Sequence, residues 1–132
     1  MSSTPTALGK TRILVVDDDS EFRQLIRTQL RKRADLEVVG DAVDGVEAIE
    51  RCRALQPDLV ICNITMPRLD GIGALPGLLD AAPGARILMH SCIEDELTVH
   101  RAMDAGAHGY LVKGAVRLVL TAKIDALMTQ LV

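Results

Sequence analysis

The sequence predicts an α/β fold in which helices cover both faces of a parallel sheet. Two observations predict this architecture. Five short apolar runs alternate along the chain with segments whose apolar residues recur at helical spacing. The runs are apolar throughout rather than alternately polar, which is typical of strands that are buried on both faces. Parallel neighbours need crossover connections, and the intervening helices supply them.

The five predicted strands cover residues 12–16, 36–40, 58–62, 86–90 and 109–112. Four helices follow from their spacing: Phe22, Leu25, Ile26 and Leu30 mark the first, Ala48, Cys52 and Leu55 the second, Val99, Ala102, Met103 and Gly106 the fourth, and Leu120, Ile124, Leu127 and Leu131 the fifth. The third helix lies within residues 71–82, which contain Pro76. We expect it either to begin late, with Pro76 in its first turn, or to bend there.

Length and composition limit the class of protein. The chain has 132 residues with a formal net charge of −3, and residues 11–132 are expected to form one domain after a loose tail at 1–10. Charged residues make up 25% without a basic block, so no nucleic-acid contact is expected. No apolar run approaches the ~18 residues of a membrane helix. The three cysteines match no metal or redox spacing, and a cytoplasmic protein without membrane contact is expected.

Polar residues stand where the predicted strands end. Asp17 and Asp18 follow the first strand, Asn63 the third, Ser91 the fourth and Lys113 the fifth. In a doubly wound sheet these ends meet at one crevice, where ligands bind. Paired carboxylates repel unless a cation lies between them, and an all-oxygen site suits Mg²⁺. The pattern therefore predicts a cation and anion site. An adjacent residue, Asp19 or Ser20, is expected to cap the first helix instead.

The chain resembles the receiver domain of bacterial two-component response regulators over nearly its whole length after the tail. The motifs that carry the resemblance are Ile-Leu-Val-Val-Asp-Asp-Asp at 13–19, Pro-Asp-Leu-Val-Ile-Cys-Asn-Ile-Thr-Met-Pro at 57–67, Asp70-Gly71, Ile-Leu-Met-His-Ser at 87–91 and Gly-Tyr-Leu-Val-Lys at 109–113. The resemblance implies a flavodoxin-like (βα)5 sandwich with a five-stranded parallel sheet in the order 2-1-3-4-5.

The resemblance also implies a role for each matching residue. It makes Asp17 and Asp18 the acidic pair with Asp18 a direct Mg²⁺ ligand, the Thr65 carbonyl a further ligand, Ser91 the switch hydroxyl, Tyr110 the switch aromatic, and Lys113 the phosphate-binding lysine. It implies a histidine kinase, an output domain or an output protein as partner, and allows a homodimer. The domain itself is not expected to be an enzyme.

One position departs from the family. Asn63 stands where receivers carry the aspartate that accepts the phosphoryl group. An amide is a poor nucleophile, so phosphoryl transfer is expected to fail and the domain to regulate through protein contacts. The amide oxygen can still ligate a cation, so weakened Mg²⁺ binding is expected, and Lys113 is expected to turn to Asp17 or Asp18. Asn63 is either the mark of a natural pseudo-receiver or a laboratory substitution.

An enzymatic alternative is a haloacid-dehalogenase-type Mg²⁺-dependent phosphatase. Its Asp-x-Asp-x-Thr/Ser opening is similar to residues 17–20, and Ser91 and Lys113 match its strand-end hydroxyl and lysine. Such enzymes need a further acidic pair on a strand after the lysine. The only acid after Lys113 is Asp125, within a predicted helix.

Overall fold

The computed structural model describes residues 9–92 and 95–129. In these ranges the elements are β1 (Thr11–Val16), α1 (Ser20–Leu30), β2 (Leu36–Ala42), α2 (Gly45–Leu55), β3 (Leu59–Asn63), α3 (Gly71–Ala81), β4 (Arg86–Ser91), α4 (Glu96–Asp104), β5 (Gly109–Val112) and α5 (Val116–Met128), with one 3-10 turn (Lys113–Ala115) before α5. All five predicted strands and all five predicted helices are present. Most of the predicted tail and Leu131 lie outside the described residues.

The strands form one sheet in the order β2-β1-β3-β4-β5, and every neighbouring pair is parallel. This confirms the predicted flavodoxin-like (βα)5 arrangement. The reversal of strand order lies between β1 and β3, where the chain has run outward to β2 and then returns to the other side of β1. Their carboxyl ends therefore open on a shared crevice.

The sheet separates two apolar cores. One lies on the side of α1 and α5 and contains Ile26 and Leu120, and the other lies on the side of α2, α3 and α4 and contains Leu75 and Ala102. Successive strand residues alternate between the two sides, as the pleat requires. Branched aliphatic residues make up nearly all of the core on the α1 and α5 side, whereas Ala, Cys and Met supply most of the other core. Aromatic residues contribute little, since the chain has one Phe, one Tyr and no Trp.

Helix α3 differs from the late start considered above. It begins at Gly71, because the Asp70 side chain accepts a hydrogen bond from the Gly73 N–H at 2.7 Å and caps it. Pro76 therefore lies in the second turn, and the prediction that it would occupy the first turn is wrong. The strong cap and the buried Leu75 and Leu78 on either side keep the helix continuous despite the missing N–H.

Helix α4 is packed least. Among its nine residues only Ala102 is buried, whereas Leu97 and Met103 are 66% and 41% exposed. By contrast, α5 buries four residues, among them Val116 and Leu120, which sit in the core. Within the described part of the chain, none of the helices has the length and apolarity needed to span a membrane.

Candidate functional site

Strand register brings the predicted site residues to one end of the sheet. Val16 lies beside Cys62, Asn63 beside His90, and Ser91 beside Val112. Asp17, which follows β1, therefore falls beside Asn63, and Lys113, which follows β5, lies two positions beyond that level at the same end of the sheet. Parallel pairing is what aligns these four strand ends.

The Asn63 amide lies at the centre of the predicted cation ligands. Its Nδ2 donates to the Thr65 carbonyl oxygen at 2.8 Å and lies 3.4 Å from Asp18 Oδ1 and 3.5 Å from Asp17 Oδ1. The structure thus brings together all four residues predicted as metal ligands. The amide N–H groups occupy the point on which their oxygens converge, so a neutral donor lies between the two neighbouring carboxylates.

Asp17 is paired with Lys113. The carboxylate is fully buried, and the Lys113 Nζ lies 2.8 Å from its Oδ2, as expected for a lysine that finds no carboxylate at position 63. The other oxygen, Oδ1, accepts a hydrogen bond from the Asp19 N–H at 2.8 Å. Burial raises the pKa of Asp17 above its ordinary value, and the contacts with Lys113 and Asp19 oppose part of that rise. Asp19 itself caps α1 by accepting from the Glu21 N–H.

The two predicted switch residues, Ser91 and Tyr110, lie near pocket residues in the sequence but differ in how they are packed. Ser91 ends β4 and is 7% exposed. Tyr110 is partly buried and packs against the core on the α2, α3 and α4 side. Lys113, in contrast, contacts Phe22, which belongs to the core on the α1 and α5 side. Tyr110 and the Lys113 ammonium therefore pack against residues of different cores.

Two residues that the sequence analysis gave no functional role lie against Lys113. The Lys113 Nζ stands 4.4 Å from the centre of the Phe22 ring, and the Phe22 and His90 ring centres are 5.0 Å apart. His90 is fully buried, and neither ring nitrogen has a hydrogen-bond partner among the described residues. Burial, together with the nearby Lys113 charge, lowers the pKa of His90 to about 3, so the ring is neutral. His90 could have been noticed in the sequence as a polar residue inside an otherwise apolar strand.

The turn after Asn63 depends on Gly71. The Gly71 N–H donates to the Ile64 carbonyl at 2.7 Å, and a Cβ at position 71 would stand 2.3 Å from the Asn63 carbonyl oxygen. We expect Gly71→Ala to lower the free energy of unfolding by about 2 kcal/mol, because backbone on both sides must shift. Urea denaturation followed by circular dichroism measures it. Gly114→Ala is the matched control, since its Cβ would meet nothing within 4 Å; an equal loss in both variants would contradict the argument.

The oxygen atoms around Asn63 fit a hard divalent cation. Two carboxylates and a backbone carbonyl converge on one point, which is the donor chemistry that Mg²⁺ prefers, with water completing its shell. Over residues 9–92 and 95–129, no three His, Cys, Asp or Glu side chains are grouped so as to hold a metal by themselves. Any cation here therefore depends on neutral oxygen ligands as well as on Asp17 and Asp18.

A doubly wound sheet whose strand ends bring an acidic pair and a lysine together is typical of the signalling domains of two-component systems. Residues 13–125 match the family described as the response regulator receiver domain. The chain belongs to this family.

Individual relatives agree with the assignment. The chain is 44% identical over 124 residues to protein-glutamate methylesterase/protein-glutamine glutaminase 5 of Geobacter metallireducens, covering 92% of this chain and 33% of that protein. The response regulator domain of Thermotoga maritima CheB is 30% identical with a TM-score of 0.82, covering 91% and 95% of the two chains. A chain of the CheX-CheY-BeF3-Mg²⁺ complex of Borrelia burgdorferi is similar at 28% identity with a TM-score of 0.79, covering 89% of each chain. The chain spans about a third of the length of the methylesterase relative.

Proposed function

We propose that this receiver domain does not accept a phosphoryl group at position 63 and that it acts through contacts with other proteins. The observation that carries the proposal is the Asn63 amide, which stands among Asp17, Asp18 and Thr65 and donates hydrogen bonds toward them. A phosphoryl acceptor must instead present an electron-rich oxygen to phosphorus. The lone pair of an amide nitrogen is delocalised into the carbonyl group, so neither the nitrogen nor the oxygen of the Asn63 amide is an adequate nucleophile.

The other pocket residues support a receiver that lacks only its acceptor. Asp17, Asp18 and the Thr65 carbonyl would hold Mg²⁺ directly or through water, and Asn63 would join them only after its amide turns to present its oxygen. When bound, Mg²⁺ neutralises charge in the pocket. We propose that its binding is weak, because one carboxylate fewer faces the cation. Lys113, Ser91 and Tyr110 are proposed to keep the positions of the phosphate-binding lysine, the switch hydroxyl and the switch aromatic.

The partners we propose are a histidine kinase and an output domain or output protein. Among outputs, the comparisons favour the kind named for the Geobacter relative, a protein-glutamate methylesterase/protein-glutamine glutaminase. Residues 11–132 would form the regulatory domain, which would catalyse no reaction itself, and residues 1–10 would form its tail. The haloacid-dehalogenase alternative gains no support from these matches. In the described part of the chain the residues after Lys113 are helical, which leaves no strand for its second acidic pair.

The proposal is tested on the chain as it stands. The protein is incubated with Mg²⁺ and phosphoramidate, and its intact mass is measured over time. We expect no gain of a phosphoryl group, because position 63 offers no nucleophile. If a mass gain appears, peptide mapping locates it. A phosphoryl group on residue 63 would contradict the proposal directly.

A further inference from the structure

Asp17 and Phe22 contact the Lys113 ammonium and His90 packs against both of them; we call these residues the Lys113 cluster: Asp17, Phe22, His90 and Lys113. Asp17 follows β1, Phe22 lies in α1, His90 in β4, and Lys113 follows β5. The ammonium lies 2.8 Å from Asp17 Oδ2 and 4.4 Å from the centre of the Phe22 ring. His90 closes the cluster, with its ring 5.0 Å from that of Phe22 and its Nε2 3.8 Å from Asp17 Oδ2.

The geometry of the Lys113 cluster holds the Lys113 ammonium in one place. The face of an aromatic ring carries negative charge density and attracts an ammonium group, more strongly when water is kept away. The Lys113 side chain is 15% exposed and the Asp17 side chain is fully buried, so little water competes here. Phe22 cannot recede, because His90 packs against its ring and is itself completely enclosed. An aliphatic side chain in place of Phe22 would fill the space without attracting the charge.

We propose that Phe22, supported by His90, is a positioning residue that holds the Lys113 ammonium against Asp17 and thereby weakens the binding of a divalent cation in the pocket. The consequence for cations rests on the proposed function, in which Asp17 and Asp18 serve as cation ligands. An ammonium at Asp17 Oδ2 neutralises one of the two carboxylates and repels a second positive charge. Lys113 thus acts as a tethered competitor of the metal, and Phe22 keeps it in place.

Titration with Mn²⁺, a paramagnetic stand-in for Mg²⁺, tests the proposal on the Asn63 protein. Free and bound Mn²⁺ are separated by electron paramagnetic resonance. Lys113→Met is expected to raise Mn²⁺ affinity about tenfold, since the competing charge is gone. Phe22→Leu is expected to raise it about threefold, since the ammonium is released from the ring. Phe22→Tyr keeps a ring and is expected to bind Mn²⁺ like the wild type.

The double variant decides whether Phe22 acts through Lys113. In the Lys113→Met background, Phe22→Leu is expected to change Mn²⁺ affinity no further, because the group that it positions is absent. An equal threefold effect in both backgrounds would overturn the proposal, and so would an unchanged affinity in Phe22→Leu. Absence of Mn²⁺ binding in every variant would overturn the link to cations. None of these results bears on whether Asn63 accepts a phosphoryl group, which the mass measurement decides separately.

A spectroscopic signature checks the geometry without any metal. The Lys113 Nζ lies over the Phe22 ring, so the NMR signals of the adjoining ε-methylene protons are expected upfield of those of the other lysines. The shift should persist in Phe22→Tyr and disappear in Phe22→Leu. An ordinary lysine shift in the wild-type protein would overturn the positioning role itself.

Discussion

Replacing Asn63 with aspartate is expected to give the domain a phosphoryl acceptor at position 63. The rate with a small phosphodonor should rise by at least about 10³-fold, equivalent to about 4 kcal/mol of activation free energy. The reason is local. The new carboxylate oxygen replaces the Nδ2 that now points at Thr65, Asp18 and Asp17, and it lies at the end of β3 with the acidic pair and Lys113 already around it.

The same change alters the charge balance of the pocket. A third carboxylate removes the donors that hold Asp17 and Asp18 together and adds repulsion, so metal-free Asn63→Asp should unfold more easily by about 1–2 kcal/mol. Millimolar Mg²⁺ should restore that loss, because a cation that binds only the folded chain stabilises it. The wild-type protein should gain much less from Mg²⁺.

Intact-mass spectrometry with phosphoramidate and Mg²⁺ measures the gain of the phosphoryl group, and thermal unfolding with and without Mg²⁺ measures the gain of cation binding. Asn63→Ala is the matched control, since it removes the amide without supplying a nucleophile. Phosphorylation of Asn63→Ala at the rate of Asn63→Asp would show that another residue accepts the group. Failure of Asn63→Asp despite strong Mg²⁺ binding would show that the pocket is deficient elsewhere.

His90 is expected to make the fold sensitive to acid. Its pKa is about 3 in the folded protein, against roughly 6.5 for an unfolded histidine. Between these values the unfolded chain binds a proton that the folded chain does not. Titration of His90 therefore leaves the free energy of unfolding unchanged above about pH 6.5. Below that pH the free energy of unfolding falls as the pH drops toward 3, with a slope of up to about 1.4 kcal/mol per pH unit.

Urea unfolding at several pH values from 7 to 4 measures this slope. His90→Leu should flatten the curve in this window and stabilise the protein at pH 5, because it removes both the titration and two buried ring nitrogens without partners. His100→Gln, which changes an exposed histidine of α4, is the matched control substitution. An identical pH dependence in His90→Leu and the wild type would contradict the assignment of the slope to His90.

Much of the fold and of the pocket could be predicted from the sequence because both depend on local patterns. Apolar runs with polar residues at their carboxyl ends specify the strands and their shared crevice, and the motifs around Asp17, Asn63 and Lys113 specify which residues meet there. The pairing of Lys113 with Asp17 also followed, since position 63 offers no charge. The choice between Asp17 and Asp18 as the partner of Lys113 needed coordinates, because the burial of Asp17 depends on the path of the chain from β1 into α1.

The remaining features depend on contacts between distant segments. Phe22 looked like one more apolar residue of α1, and His90 had no predicted role, because nothing in their own neighbourhood shows that the two rings pack together with Phe22 facing Lys113. The late start, one of the two alternatives for α3, is wrong for a different reason. Pro76 is a strong local signal against a helix, but the cap at Asp70 and the packing of Leu75 and Leu78 outweigh it.

The sparse packing of α4 has a dynamic consequence. A helix that anchors itself through Ala102 alone exposes little new apolar surface when it detaches, so its opening costs far less free energy than global unfolding. Its backbone amides should exchange with deuterium sooner than those of α5, and the sheet should remain protected throughout. Excursions of this one helix can therefore be biased by a partner while the rest of the domain stays intact.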